Sequence, residues 1–158
     1  MSTERMNILY NKKPCYDIIF SQDFADLPVE LEAFHISDRK VCIVSDSKVS
    51  GLYSEEIIRL LSTETKKPYL FVFEEGEKSK TLDTTRRLYS FLIEHKFDRS
   101  DLLIALGGGV TGDLTGYVAA TYLRGIDYIQ IPTSLLAQAD SSIGGKTGVD
   151  FDGYKNMV

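Results

Sequence analysis

Apolar and polar residues follow two repeating patterns along the chain, and each pattern predicts one kind of element. Short apolar runs rich in β-branched and aromatic residues predict strands at residues 40–45, 69–73, 101–106 and 126–131. Apolar residues spaced three or four apart predict helices at residues 52–61, 81–96, 114–123 and 135–141. The third of these helices is poor in charge, so we expect it to be buried.

The two ends of the chain have patterns of their own. Residues 7–10 and 15–20 are apolar runs separated by Asn-Lys-Lys-Pro, which predicts a β-hairpin. Residues 24–34 suit a short helix and its connection. Residues 144–158 are rich in glycine and predict a loop.

The alternation of strands and helices predicts one α/β domain over residues 1–158. We expect a Rossmann-like parallel sheet with flanking helices, preceded by the N-terminal β-hairpin. In such sheets ligands bind at the carboxyl ends of the strands. The residues that follow the four predicted strands are polar or glycine, and we expect them to face one crevice: Asp46, residues 75–77, residues 107–109 and residues 133–134.

Composition and charge narrow the classes of partner. The chain has 158 residues, of which 43% are hydrophobic and 26% charged, which is typical of one globular domain. A net charge of −5 without a basic run argues against nucleic acid or anionic membrane as the main partner. There is no apolar run of about 18 residues and no signal-peptide pattern, so we expect a cytoplasmic protein without a membrane span. Cys42 lies in an apolar run and is expected to be a buried free thiol, and the sequence gives no support for a disulfide with Cys15.

The sequence LGGGVTGDLTG contains the strongest local motif. Gly107, Gly109 and Gly112 match G-x-G-x-x-G between a predicted strand and a predicted helix. Such glycines let the backbone approach a pyrophosphate, although a purely structural tight turn is the alternative. The usual acidic partner about 20 residues later is poorly placed, because Asp127 precedes a strand. Asp46 at the end of the first buried strand is another candidate for the ribose contact, with a helix cap as the competing interpretation.

Two other sequence features suggest ligand sites at first, but neither meets the requirements of the site that it suggests. The sequence GGKTG at residues 144–148 suggests a P-loop, but Asp140 stands where the first glycine of that motif belongs. His35 and His95 lie in unrelated segments and are too few for a metal site. We therefore expect neither nucleotide hydrolysis nor a metal centre built from these residues.

Two polar segments fit either ordinary loops or ligand contacts. Residues 74–80, EEGEKSK, are typical of a solvated loop. They could equally bind the ribose hydroxyls and the amide group of a dinucleotide. The polar segment from residue 140 to the end is typical of a loop. Alternatively, its lysines and asparagine could donate hydrogen bonds to an anionic substrate.

Residues 107–150 closely resemble the signature block of the 3-dehydroquinate synthase family. Residues 75–80 resemble the family's acidic-Gly-Glu-x-x-Lys element, and Asp46 resembles its strand-end aspartate. The resemblance implies the shikimate pathway and a lyase that converts the seven-carbon sugar acid phosphate DAHP into 3-dehydroquinate and phosphate. In that family NAD first oxidises the substrate and NADH later reduces it again. Phosphate is eliminated between these two steps, and an aldol step closes the ring. A divalent metal ion, zinc or cobalt, polarises the oxidised oxygen.

The resemblance implies roles for individual residues. The expected cofactor-binding residues are Asp46, Glu75, Gly76, Glu77, Lys80, Gly108, Gly109, Val110, Thr111, Gly112, Asp113, Thr133, Ser134, Lys146 and Lys155. The expected catalytic residues are Asp140, Lys146, Lys155, Asn156 and Arg124. Asp140 is implied to bind a substrate hydroxyl or the cofactor, and Lys146 and Asn156 the substrate phosphate. Arg124 is implied to reach the phosphate site of a partner subunit, in a homodimer.

The chain departs from the family pattern in two ways. Residues 151–154 are Phe-Asp-Gly-Tyr where the family often has His-Pro-Leu-Gly. The family's metal ligands, one Glu and two His, belong to a helical C-terminal domain that would follow Val158. We therefore expect this chain to lack the metal ligands, to bind NAD weakly and to be inactive alone. Related sugar-phosphate cyclases, metal-dependent polyol dehydrogenases and a non-catalytic nucleotide-binding module are the alternatives.

Overall fold

The structure, a computed structural model, describes residues 4–62 and 67–158. The strands are β1 Glu4–Tyr10, β2 Lys13–Phe20, β3 Val41–Asp46, β4 Tyr69–Phe73, β5 Leu102–Gly107 and β6 Asp127–Pro132. The α-helices are α1 Leu27–Leu31, α2 Ser47–Leu61, α3 Leu82–Glu94 and α4 Gly109–Thr121. Short 3-10 turns lie at Glu32–Phe34, Ile36–Asp38, Glu77–Ser79 and Tyr122–Arg124, and one π-helical turn at Ala137–Ser141. The expected domain also includes residues 1–3 and 63–66, which lie outside the described residues.

The sheet topology confirms the predicted Rossmann-like fold. Four strands form a parallel sheet in the order β4-β3-β5-β6. Strands β1 and β2 form a separate antiparallel hairpin, as predicted. Because all four strands of the sheet run the same way, their carboxyl ends lie along one edge.

The sheet is covered on both faces, which explains why its strands are apolar along their whole length. Along β3, Cys42 and Val44 point to the face covered by α3 and α4, whereas Val41 and Ile43 point to the face covered by α1 and α2. All four residues are at most 1% exposed. Burial raises the pKa of the Cys42 thiol, and both cysteines are free, as predicted.

Two helices begin earlier than the apolar pattern predicts. Helix α2 begins at Ser47 rather than at residue 52, and α4 begins at Gly109 rather than at residue 114. Apart from Val49 and Val110, their first turns consist of polar residues and glycine, so an apolar stripe does not reveal them. The glycine-rich turn is thus the first turn of α4, and this helix is largely buried, as expected.

Residues 149–158 fold back on themselves instead of extending as a loose loop. The backbone N–H of Val149 donates to the carbonyl of Val158 at 2.7 Å, and the N–H of Val158 donates to Val149 at 3.2 Å. A tight turn at residues 151–154 lies between them, with Gly153 at φ +81°. Residues 151–154, which depart from the family pattern, therefore form a tight turn.

Two helical glycines offer a matched test of packing. A Cβ at Gly116 would lie 2.2 Å from Thr147 Cγ2 and 3.1 Å from the Tyr128 hydroxyl, whereas a Cβ at Gly51 would have no neighbour within 4 Å. We expect Gly116→Ala to lower the free energy of unfolding by about 1 kcal/mol, because overpacking outweighs the gain in helix propensity. We expect Gly51→Ala to raise it by up to about 1 kcal/mol. Urea unfolding of both variants measures this, and shifts of the same sign would contradict the packing argument.

Candidate functional site

The carboxyl ends of the four parallel strands form the candidate site, which we call the strand-end crevice. The register sets Asp46 beside Phe73 and Gly107 beside Pro132. The segments that follow the strands, residues 46–47, 74–77, 108–113 and 133–134, therefore lie along one edge, as predicted. This is the edge at which α/β sheets bind ligands.

The first turn of α4 is the centre of this crevice. Gly108 is the N-cap and has no side chain to bond the free amides of the turn. A Cβ at Gly109 would lie 3.0 Å from Ser141 Oγ, and one at Gly108 would lie 3.4 Å from Ser134 Oγ. The lack of side chains at these two positions lets Ser134 and Ser141 lie close to the backbone of this turn. Amides and the positive end of a 13-residue helix suit a pyrophosphate.

Asp46 is the N-cap of α2, one of the two interpretations open from the sequence. Its Oδ1 accepts hydrogen bonds from the backbone N–H groups of Lys48 at 3.0 Å and Val49 at 2.9 Å. Its Oδ2 turns toward α4 and lies 3.5 Å from Thr111 Oγ1. Capping of α2 thus uses Oδ1. The predicted hydrogen bond to a ribose would use Oδ2, and it stays a prediction.

Lys80 is the most densely contacted charged residue of the site among those described. Its side chain is only 4% exposed. The Nζ atom lies 2.6 Å from Asn156 Oδ1, 3.1 Å from Asp113 Oδ2, 3.5 Å from Glu77 Oε1 and 3.8 Å from Asp150 Oδ1. We call these five residues the Lys80 cluster. It joins the loop after β4, helix α4 and the C-terminal segment.

The electrostatics of the Lys80 cluster are those of one cation among three carboxylates. Burial lowers the pKa of Lys80, but the hydrogen bond to Asp113 and the surrounding negative charges outweigh it, so the pKa is raised. Burial also raises the pKa of Asp113; Lys80 opposes this, and the charges of Glu77 and Asp150 add to it. Lys80 is therefore a stable ammonium at neutral pH.

Other predicted residues line the same edge with more exposed side chains. The backbone N–H of Glu75 donates to Ser47 Oγ at 3.2 Å, and Gly76 adopts φ +103°, which favours glycine. Lys155 is 72% exposed, and its Nζ lies 3.4 Å from Glu77 Oε1. Lys155 therefore stands at the entrance to the crevice, beside the buried Lys80 cluster.

Three predicted catalytic residues make no described contact with the Lys80 cluster. Asp140 is exposed on the π-helical turn that follows β6, and Lys146 is exposed in the glycine-rich segment after it. Arg124 directly precedes β6 and is exposed with φ +68°. Because ligands bind at the opposite end of that strand, Arg124 does not belong to the crevice of its own chain.

Sequence reasoning missed two residues of the site and one supporting contact. Asp150 contacts Lys80, and Ser141 faces Gly109 with a buried hydroxyl that has no hydrogen-bond partner among the described residues. Gly144 donates a backbone hydrogen bond to the Tyr16 hydroxyl at 3.1 Å, which links the N-terminal hairpin to the glycine-rich segment. No local sequence pattern predicts these contacts, because the residues involved are far apart in the sequence.

Residues 4–62 and 67–158 contain neither a metal-binding cluster nor a membrane-spanning helix. Within these ranges no group of three or more His, Cys, Asp and Glu side chains is arranged to hold a metal ion. No helix in the described part of the chain has the length and apolarity needed to cross a membrane.

The amino-acid sequence has clear relatives. The profile of the 3-dehydroquinate synthase N-terminal family matches residues 70–158. A 3-dehydroquinate synthase of Ruminiclostridium cellulolyticum is 45% identical over 147 residues, which are 93% of this chain and 41% of the relative. Another from Streptococcus agalactiae serotype V is 53% identical over 118 residues, or 75% of this chain and 33% of the relative.

One solved structure has a closely similar fold. A 2-deoxy-scyllo-inosose synthase complexed with carbaglucose-6-phosphate, NAD⁺ and Co²⁺ is 26% identical, with a TM-score of 0.83 over 99% of this chain and 42% of that one. The chain spans about two fifths of the length of the first relative named above. Since the family profile matches more than half of its residues, the chain belongs to the 3-dehydroquinate synthase family.

Proposed function

We propose that this chain is the NAD-binding α/β domain of a 3-dehydroquinate synthase, a lyase of the shikimate pathway that acts on DAHP. The observation that carries the proposal is the glycine-rich N-terminus of α4, which has no side-chain cap and lies at the strand-end crevice. Curated relatives at 45–53% identity are named for that activity. A cyclase of known structure with a closely similar fold is complexed with NAD⁺, which supports a dinucleotide site in this chain.

The residues of the crevice have complementary roles toward NAD. The free amides of Gly109, Val110 and Thr111 bind the pyrophosphate, and Asp46 Oδ2 accepts from ribose hydroxyls. Further contacts come from the remaining predicted residues, which are Glu75, Gly76, Glu77, Lys80, Gly108, Gly112, Asp113, Thr133, Ser134, Lys146 and Lys155. NAD, when bound, supplies an acceptor and later a donor of hydride.

The substrate is an anionic sugar acid phosphate, and the cationic and amide groups beside the crevice suit it. Lys146, Lys155 and Asn156 bind the phosphate, and Asp140 accepts a hydrogen bond from a hydroxyl. Arg124 lies away from the crevice of its own chain, so we assign it to the site of a second subunit in a homodimer.

The divalent metal of the cyclases is not matched by the residues described here. Solved relatives contain Co²⁺ or Zn²⁺, but the described part of this chain has no suitable ligand group. We therefore assign no metal contact to these residues and propose that NAD binding alone does not give turnover.

Turnover in a chimera tests the substrate. This chain replaces the matching segment of the Ruminiclostridium cellulolyticum relative, and that relative unchanged is the control. We expect NAD-dependent phosphate release from DAHP and none from sedoheptulose 7-phosphate. Turnover of sedoheptulose 7-phosphate instead would favour the sugar-phosphate cyclases, which the 26–30% identity to solved cyclases makes the second candidate. A folded but inactive chimera would contradict the proposal.

Two substitutions of Asp46 separate its roles. Asparagine caps helices about as well as aspartate, so Asp46→Asn keeps the free energy of unfolding but weakens NAD binding by about tenfold or more through loss of a charged acceptor. Asp46→Ala weakens binding and also lowers the free energy of unfolding by about 1 kcal/mol. Calorimetric titration and urea unfolding measure the two effects. Unchanged NAD affinity in both variants would mean that Asp46 is only a cap.

A further inference from the structure

The glycine-rich segment at residues 144–148 has few contacts that fix its backbone. Before it, the N–H of Ile143 donates to the carbonyl of Asp140 at 3.0 Å, and after it Val149 is held by the C-terminal residue. Within the described part of the chain, the only hydrogen bond of residues 144–148 runs from the backbone N–H of Gly144 to the Tyr16 hydroxyl at 3.1 Å. The N-terminal hairpin therefore supplies the hydrogen bond that holds this segment.

Two glycines in this segment determine where Lys146 begins. Gly144 has φ +86° and Gly145 has φ +69°, and Lys146 follows them directly with an exposed side chain. Glycine adopts such angles easily but also adopts many others, so the pair does not hold this turn by itself. On the far side of Lys146, Thr147 packs against α4, where its Cγ2 lies 2.2 Å from the position of a Cβ at Gly116.

Tyr16 is itself held in place by the pairing and the charges of the hairpin. It lies on β2 opposite Ile8 of β1. Arg5 of β1 forms ion pairs with Asp17 at 2.6 Å and with Glu30 of α1, so the hairpin is tied to the helical layer on one side of the sheet. The Tyr16 hydroxyl thus connects a fixed strand to a turn that lacks other hydrogen bonds among the described residues.

We infer that Tyr16 is a positioning residue: its hydroxyl holds the turn at Gly144 and Gly145 so that the ammonium of Lys146 faces the phosphate group of the substrate. The inference rests on the proposed function and deepens it, because it gives the N-terminal hairpin a role in the site. The competing interpretation is that the same hydrogen bond only attaches the hairpin to the domain.

Hydrogen exchange of the Gly144 amide tests the first step. Tyr16→Phe keeps the ring and removes the acceptor, and we expect the Gly144 amide to exchange at least about fivefold faster by NMR. The matched control is Tyr10→Phe, the same change on β1 of the same hairpin, where the side chain is 72% exposed. It should leave this rate within about twofold, and equal rates in Tyr16→Phe and the wild type would overturn the inference.

A double-mutant cycle with Lys146 tests the second step. Inorganic phosphate is titrated into the NAD-saturated chain. We expect Tyr16→Phe to weaken phosphate binding by about fivefold and Lys146→Met by about tenfold or more, and the double variant to bind like Lys146→Met alone. A role in stability alone would lower the free energy of unfolding of Tyr16→Phe and leave its phosphate affinity unchanged. That result, or additive losses in the cycle, would overturn the inference.

Valine at Gly144 tests the turn without changing the hairpin. A β-branched residue does not readily adopt φ +86°, and a Cβ at Gly144 has no neighbour within 4 Å, so the strain is confined to the backbone. We expect Gly144→Val to weaken phosphate binding at least as much as Tyr16→Phe does. Unchanged phosphate affinity in this variant would overturn the inference even if Tyr16→Phe did not fold.

Failure of the inference and failure of the proposed function give different results. A wild-type chain that binds NAD but not phosphate would overturn the role of Tyr16 and leave the dinucleotide site standing. A folded wild-type chain that does not bind NAD would contradict the proposed function itself, whatever the exchange rate of the Gly144 amide.

Discussion

Valine at Gly109 is expected to abolish measurable NAD binding, a loss of at least about 100-fold. A Cβ at this position already lies 3.0 Å from Ser141 Oγ. We expect the two methyl groups of valine to displace Ser141 and to crowd the free amides at the start of α4. The pyrophosphate then loses several charge-assisted hydrogen bonds, each worth about 1.5–3 kcal/mol. Calorimetric titration with NAD measures the loss.

The matched control is the same substitution in another helix. Gly51 lies in α2, and a Cβ there has no neighbour within 4 Å. Gly51→Val therefore tests the effect of valine in a helix without touching the crevice, and it should bind NAD like the wild type. A folded Gly109→Val chain with wild-type affinity would show that the glycine turn is structural only.

Methionine at Lys80 is expected to be the most destabilising of the substitutions considered. It removes the cation of the Lys80 cluster and leaves three carboxylates near one another, of which Asp113 and Asp150 are 22% and 18% exposed. Loss of one partner from a buried ion pair costs about 3–5 kcal/mol, and partial exposure of the carboxylates reduces this to about 2–3 kcal/mol. Urea unfolding at pH 7 measures it, with Lys78→Met as the control for one lost surface charge.

The contribution of Lys80 to the free energy of unfolding depends on pH in a defined direction. The raised pKa of Lys80 means that its contribution to stability is present below the ordinary lysine pKa and is lost as pH rises through the raised value. In Lys80→Met the carboxylates repel each other, so the cost should shrink as pH falls and Asp113, whose pKa is already raised, takes up a proton. A cost that stays constant between acid and neutral pH would contradict the electrostatic account.

The sheet and the edge that carries the site were predictable, because both depend on local patterns. Strands buried on two faces must be apolar throughout, and the predicted strand at residues 69–73 coincides with β4. A parallel sheet then brings the residues after its strands to one edge without any knowledge of contacts. The first turns of α2 and α4 each contain a single valine among polar residues and glycine, so the apolar pattern predicts both helix starts too late.

The Lys80 cluster was not predictable, for a different physical reason. The segment EEGEKSK has the composition of a solvated loop, and it is the contact with residues 113, 150 and 156 that buries Lys80. Those contacts depend on how the C-terminal segment folds back, which hydrophobic periodicity does not describe. The position of Asp46 at the end of β3 is predictable from the apolar run before it, whereas the capping of α2 by one of its oxygens depends on side-chain geometry.

Calorimetric titration of the wild-type chain with NAD tests the central claim most directly. We predict saturable binding of one NAD per chain, weakened in Asp46→Asn and lost in Gly109→Val, with all three proteins folded. The absence of saturable binding by the folded wild-type chain would contradict the assignment of the dinucleotide site to the strand-end crevice.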